Sequence, residues 1–410
     1  MSDQPGRPEI RLLDGHFYAE APLSHYRWMR ENAPVYWDQT AELWAVTLHE
    51  DVMHISKTPS VFCSGRGSRP YTGEGQRPRQ GGGTPSMINM DDPHHKPRRN
   101  LVNKGFTPRR VDDHEPKIRR ICNELIDAVA PRGKCDFVRD IAAPLPMIMI
   151  GDMLGVEPED RDKLLRWSDD LINATTATAS PEIRMASAKA AGEYTAYAAN
   201  VIADRRAKPP QDDLMSVLVH AEIDGDKLDD QELIQESLLI LVGGDETTRH
   251  VITEGMGALI RHPAERQKLI DDPTKIRRGV EEMLRWVSPI KNMNRTATRD
   301  VELRGRKIRE GDQLLLLYQS ANRDERVFPE PDVFDVERHP NDHVAFGGYG
   351  AHFCLGSSLA RLELRVMFEE LLRRLPDMEL EGDGPLPFRH SNFIVGIEHM
   401  PVRFTPRDPF

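Results

Sequence analysis

The chain has 410 residues, 39% of them hydrophobic and 30% charged, enough for one large globular domain or two or three ordinary ones. Its formal net charge of −11 argues against nucleic acid as the main partner, and no run of about 18 apolar residues is present to span a membrane. The polar start, MSDQPGRPEI, and four cysteines (Cys63, Cys122, Cys135 and Cys354) too few for a disulfide scaffold point to the cytoplasm.

In chain order the elements are mostly helices. LSHYRWMRENA, PKIRRICNELIDAVA, PEDRDKLLRWSDDLINA and ASAKAAGEYTAYAANVIADRRA carry apolar residues at three- and four-residue intervals. Short strands are expected at Pro34–Tyr36, Leu43–Val46, Val301–Leu303 and Gln313–Leu317, with another near the C-terminus. The pattern predicts a mainly α fold with small β-sheets, and no repeat or linker divides residues 1–410, so one domain is expected. Residues 64–86 are irregular, with a Gly, Pro and Arg content that cannot build a packed element. A disordered insertion fits, and so does a flexible loop that admits a substrate.

Asp229-Asp-Gln-Glu232 has the form of a capping box and opens a helical pattern running to Pro263. Such a helix spans roughly 45–50 Å. Gly243-Gly244 interrupts it at a cost of about 1 kcal/mol per glycine relative to alanine. Close approach of a planar cofactor would explain the pair, and so would a widened turn. Asp245-Glu246-Thr247-Thr248 follows, in the most apolar part of the chain. It is either a satisfied polar patch or an acid and an alcohol placed to pass protons to dioxygen.

Glu282-Met-Leu-Arg285 puts an acid and a base on one helix face, and FPEPDVFDVERHP supplies Arg338 downstream. The loop Phe346-Gly-Gly-Tyr-Gly-Ala-His-Phe-Cys354-Leu-Gly356 then sets one cysteine before an amphipathic run that Pro376 ends. A thiolate there would gain from the unpaired N–H groups of a helix N-terminus. A lone thiolate on a glycine-rich loop suits the axial ligand of haem iron. A plain buried cysteine is the other reading, and no second cysteine lies near enough for zinc.

These four motifs, GGDETT, ExxR, the Phe334–Arg338 segment and GxHxCLG, together resemble the cytochrome P-450 family of haem-thiolate monooxygenases, over about Asp14 to Arg403. The resemblance implies haem b with Cys354 as the metal ligand and Gly243, Phe346 and Gly356 against the macrocycle. Glu246 and Thr247 would be the catalytic acid–alcohol pair. Glu282, Arg285 and Arg338 would form a buried structural triad. DDPHHKPRRNLV is similar to the family's propionate-binding segment, which implies that His95 and Arg99, with Arg295 and His352, face the haem carboxylates. The family's usual aromatic seven residues before the cysteine is here Gly347, leaving either Phe346 or Phe353 to shield the sulfur.

Phrases such as LVNKGFTPRRV, GGDETTRH and PIKNMNR resemble the mycobacterial-type cholesterol and cholestenone side-chain hydroxylases. They imply a steroid oxidised at the terminal methyl of its tail, with fatty acids or terpenoids as alternatives. A haem sensor without turnover belongs to another class, and the acid–alcohol motif speaks against it. Val242, Val287, Ile290, Met293, Phe393, Ile394 and Val395 are the expected pocket lining. Lys96, Arg98, Lys104, Arg109, Arg110 and Arg361 form a basic patch suited to an acidic ferredoxin, or a merely solvated face. No Gly-x-Gly-x-x-Gly follows a strand, so electrons are expected from a separate ferredoxin and ferredoxin reductase using NAD(P)H.

Overall fold

The computed structural model describes residue 7 and residues 9–20, 22–71, 84–174, 179–222 and 225–409. The centre of the expected access loop, residues 72–83, lies outside them.

The long helix is real and central. Asp229 caps it, its side chain accepting from the Glu232 N–H at 2.8 Å while Glu232 accepts from the Asp229 N–H at 2.9 Å. The helix runs Asp230–Arg261, 32 residues, and packs against Pro144–Met153, Arg161–Asn173, Ile276–Val287 and Ser357–Arg374. It is α-helical throughout, so Gly243-Gly244 is not a widened turn. Gly244 is needed for packing, because a Cβ there would collide with the Ile150 side chain. Gly243 points to open space, with nothing within 4 Å of the Cβ it lacks.

Strands Val35–Asp38, Leu43–Val46, Gln313–Leu317, Asn292–Ala297 and Phe62–Cys63 lie side by side in that order. Leu43–Val46, Val301–Leu303 and Gln313–Leu317 form over the expected residues, and Pro401–Arg403 supplies the C-terminal strand. The mainly α architecture with small sheets is therefore as the periodicity implies. Asn292–Ala297 was not legible, since its Asn and Arg residues disfavour strands. Pairing with the fully buried Gln313–Leu317 strand overrides that preference.

Glu282, Arg285 and Arg338 meet in the interior. Arg285 grips Glu282 with two hydrogen bonds of 2.7 Å, and Arg338 Nε lies 3.2 Å from the same carboxylate. Arg285 also donates to the Asn322 and Pro331 carbonyls at 2.9 Å, and Arg338 to Pro329 at 2.7 Å. The triad thus fastens the 322–338 segment to helix Ile276–Val287. Among the described residues no helix is long and apolar enough to cross a membrane.

Candidate active site between the long helix and the cysteine loop

The cysteine loop is shaped by its glycines. Gly348 and Gly350 press on Ser56, which leaves neither room for a Cβ, and Gly347 has φ +96°. The Cys354 N–H donates to the Phe346 carbonyl at 2.9 Å, closing the loop just before helix Ser357–Arg374. Cys354 is half-buried and lines a cavity. Enclosure pushes its thiol up, while the Gly356 N–H and the Arg99 and Arg361 guanidinium groups pull it down.

That cavity lies between two surfaces. Gly243, Gly244, Thr247, Thr248 and Val251 of the long helix form one, and Phe346, Phe353, Cys354, Leu355, Gly356 and Leu359 form the other. Like Gly243, Gly356 has nothing within 4 Å of an added Cβ, so both glycines border unfilled space. Phe346 and Phe353 both line it, their rings edge-on at 6.3 Å.

One end of the cavity gathers His95, Arg99, Arg295 and His352. The two histidine rings are 4.2 Å apart. Arg99 donates to the Phe353 carbonyl and Arg295 to that of Asn294, and His95 Nε2 has no partner. No carboxylate among the described residues pairs with Arg99 or Arg295. Burial, then Arg295, His95 and Arg99, lower His352 to about 3, and burial with Arg99 lowers His95. Four basic groups converging at one end, with no carboxylate paired to either arginine, call for an anionic ligand. A flat macrocycle with two carboxylates fits the open space, the basic end and the lone cysteine together. His94, next to this set, is exposed.

Thr247 and Glu246 do not stand side by side. Thr247 lines the cavity and donates to the Gly243 carbonyl at 3.0 Å. Glu246 points the other way, fully buried, with Arg249 at 2.5 Å, Arg389 at 2.8 Å and His250 at 3.4 Å. Burial alone would raise its carboxyl, but Arg249, a hydrogen bond from His250 and Arg389 hold it well below the usual range. Asp169, partly exposed, completes the cluster at 3.6 Å from Arg249 and 3.3 Å from Arg389. A chain of charged groups thus connects Glu246 to the surface.

The expected pocket lining needs correction. Of seven residues, Ile290 and Met293 line the cavity. Phe393 and Ile394 form a small cluster with Ile172, against which Val242, Ile290 and Met293 pack, so Val242, Phe393 and Ile394 back the wall. Val287 is in the main core and Val395 packs with the N-terminal segment, because Val395 runs along Pro289 with its side chain turned away. The basic patch is smaller than expected too. Arg98 turns inward between Glu232 and Glu236, and Arg361 grips Glu281 at 2.7 and 2.9 Å. Lys96, Lys104 and Arg109 stay exposed.

Sequence reasoning passed over Glu363, which lines the cavity nine residues after Cys354, and gave no role to Asp245 behind it. Both are buried, and neither Glu363 Oε1 nor either Asp245 oxygen has a hydrogen-bond partner. Burial, then Asp245, raises Glu363 to about 8. The folded value lies above the unfolded 4.5, so stability is full below pH 4.5 and falls as pH rises toward 8. Glu363→Gln should therefore melt higher than the parent at pH 8 and at the same temperature at pH 4.5, read by thermal denaturation.

The family model described as Cytochrome P-450 matches residues 18–402. The chain belongs to the cytochrome P-450 family. It is 49% identical over 410 residues to a steroid C26-monooxygenase of Mycolicibacterium smegmatis, covering 100% of this chain and 99% of the relative. It is 39% identical over 397 residues to a methyl-branched lipid omega-hydroxylase of Mycobacterium bovis, covering 92% and 90%. A Mycobacterium marinum cytochrome P-450 solved with pseudoionone superposes at TM-score 0.88 with 34% identity, covering 98% and 100% of the two chains. A Bacillus megaterium protein solved with testosterone gives 0.84 and 34%, covering 94% and 98%. This cytochrome P-450 is thus a monooxygenase of a haem-thiolate family whose members bind hydrophobic substrates and dioxygen.

Proposed function

We propose that this cytochrome P-450 hydroxylates the terminal methyl of a sterol side chain. The observation that carries the reading is full-length 49% identity to a steroid C26-monooxygenase, joined to an apolar cavity wall of Ile240, Val251, Ile290 and Met293. Burial of apolar area drives binding of such a ligand. In this reading the Cys354 thiolate would hold the iron of haem b, and His95, Arg99, Arg295 and His352 would hold its two propionates. The chemistry that haem would supply there is activation of dioxygen with two electrons and two protons, so that one oxygen atom enters a C–H bond and the other leaves as water.

The chain's own residues bind, orient and supply protons. Ile290 and Met293 position the hydrocarbon and, with the Phe393 cluster behind them, exclude water. Thr247 presents its hydroxyl to the cavity from a turn fixed by the Gly243 carbonyl. Glu246, ionised while it bonds Arg389, takes up a proton by way of Asp169 as it leaves that partner, then swings toward the cavity and passes the proton to Thr247. Electrons come from a ferredoxin and its reductase, drawing on NAD(P)H in the cytoplasm.

The relative named for methyl-branched lipids supports a second reading, a branched fatty acid oxidised at its end. A titration of the purified haem protein distinguishes them. Cholest-4-en-3-one should shift the Soret band to the high-spin position at low micromolar concentration, while branched and straight long-chain fatty acids and terpenoids shift it weakly. A tight shift with a fatty acid and none with the sterol would overturn the sterol reading.

A further inference from the structure

Glu236 lies fully buried on the long helix, one turn before Ile240, which lines the cavity. Burying a carboxyl is unfavourable unless it is bonded, and an apolar side chain would fill the place without that penalty. Its bonds show what the acid is for. Glu236 Oε1 accepts the Met87 N–H at 2.9 Å and Arg98 Nη1 at 3.2 Å, while Oε2 has no hydrogen-bond partner. Burial pushes the carboxyl up to about 7, and Arg98 and the Met87 N–H pull against it.

Each bond leads to the cavity through a different element. Met87 and Ile88 line the cavity, and Met87 opens the short helix Met87–Asn89. The far end of that segment is held separately, where Asn89 accepts the Ser68 N–H at 2.9 Å and Asp91 the Ser64 N–H at 2.8 Å. Arg98 belongs to helix His95–Asn103, which also presents His95 and Arg99 at the basic end. Arg98 bonds Glu232 too, so it keeps a partner when Glu236 is removed. One oxygen thus joins the long helix, the Met87 wall and the helix of the basic end. Glu236 stands seven residues before Gly243, about 10 Å along the helix. A ligand small enough to sit beside Gly243 does not extend that far, whereas a long one lying along the helix does.

We propose that Glu236 is a positioning residue for long substrates: it pins the Met87–Ile88 wall to the long helix, and the end of the substrate remote from the reacting carbon packs on that wall. This rests on the sterol-tail reading, in which the remote end is the ring system. Glu236 touches neither substrate nor haem. It acts through the Met87 backbone, and the apolar wall it holds gains its binding energy from buried area.

The test uses the haem-loaded protein and four variants. Glu236→Leu removes the acceptor, and Glu236→Gln keeps an oxygen for both bonds. Met87→Pro removes the donor where proline fits, since Ser86 is extended at φ −77° and ψ 159° and Met87 is the first residue of its helix. Met87→Ala keeps the N–H and is its control. Hydrogen exchange of the peptide carrying Met87 should quicken roughly tenfold in Glu236→Leu and stay within about twofold of the parent in Glu236→Gln. The Kd of cholest-4-en-3-one, read from the Soret shift, should follow the same pattern, and should rise several-fold more in Met87→Pro than in Met87→Ala. Imidazole, too short to meet the wall, should bind all five proteins alike. Parent-like exchange in Glu236→Leu overturns the pin, and faster exchange without weaker sterol binding overturns its role toward substrate. Equal weakening for imidazole, or a Glu236→Gln as loose as Glu236→Leu, marks a general loss of structure and overturns it too. If Glu236→Leu does not fold, equal sterol binding by the two Met87 variants overturns it. A parent that takes no sterol overturns the sterol reading alone, because exchange still decides the pin.

Discussion

Cys354→Ser will abolish the red-shifted Soret band of the reduced carbon-monoxide complex. That band reports a thiolate opposite the carbon monoxide, and serine's hydroxyl neither ionises near neutral pH nor donates charge as sulfur does. Haem should still enter the variant, because the basic end formed by His95, Arg99, Arg295 and His352 and the open faces at Gly243 and Gly356 are untouched. The expected spectrum is that of a haem protein with a neutral or weak axial ligand. An unchanged band would remove Cys354 as the ligand.

Arg285→Ala should prevent accumulation of folded, haem-loaded protein. Arg285 and Glu282 are fully buried, and the substitution strands the Glu282 carboxylate without its two-pronged partner. It also removes donors to the Asn322 and Pro331 carbonyls. Breaking a buried pair from one side costs about 3–5 kcal/mol, against a total stability of about 5–15 kcal/mol. Arg285→Lys should not restore folding, since an ammonium cannot reproduce the planar fork. Soluble yield and the ratio of haem to protein measure the effect. A normal yield of loaded Arg285→Ala would show that the triad is dispensable.

How much was legible follows from the range of each interaction. The capping box at Asp229 and Glu232 and the strand Gln313–Leu317 are local, and they form where the sequence put them. Cys354, with its glycines before a helix, was readable for the same reason. Glu246 and Thr247 were legible as an acid and an alcohol in one motif, but not the different directions they take, since consecutive residues of a helix face about 100° apart. Arg249 and His250 lie within reach on the same helix, but the third partner of Glu246, Arg389, and the Asp169 that Arg389 also binds come from distant segments that no local pattern connects. Of the seven expected pocket residues, two line the cavity. Ile290 and Met293 face the cavity, whereas Val287 and Val395 turn into the core, an orientation set by strand and helix register rather than by hydrophobicity. Glu363 escaped notice because an acid in LARLEL reads as a solvated helix position until burial is known.

The central claim is oxidation of a sterol tail at its end. The direct measurement is turnover of cholest-4-en-3-one with ferredoxin, reductase and NAD(P)H under isotopically labelled dioxygen, with the product identified by mass spectrometry and nuclear magnetic resonance. The sterol-tail reading predicts one labelled oxygen on the terminal methyl of the side chain. A product oxidised on the ring system, a product without label, or no product while a fatty acid turns over would contradict it.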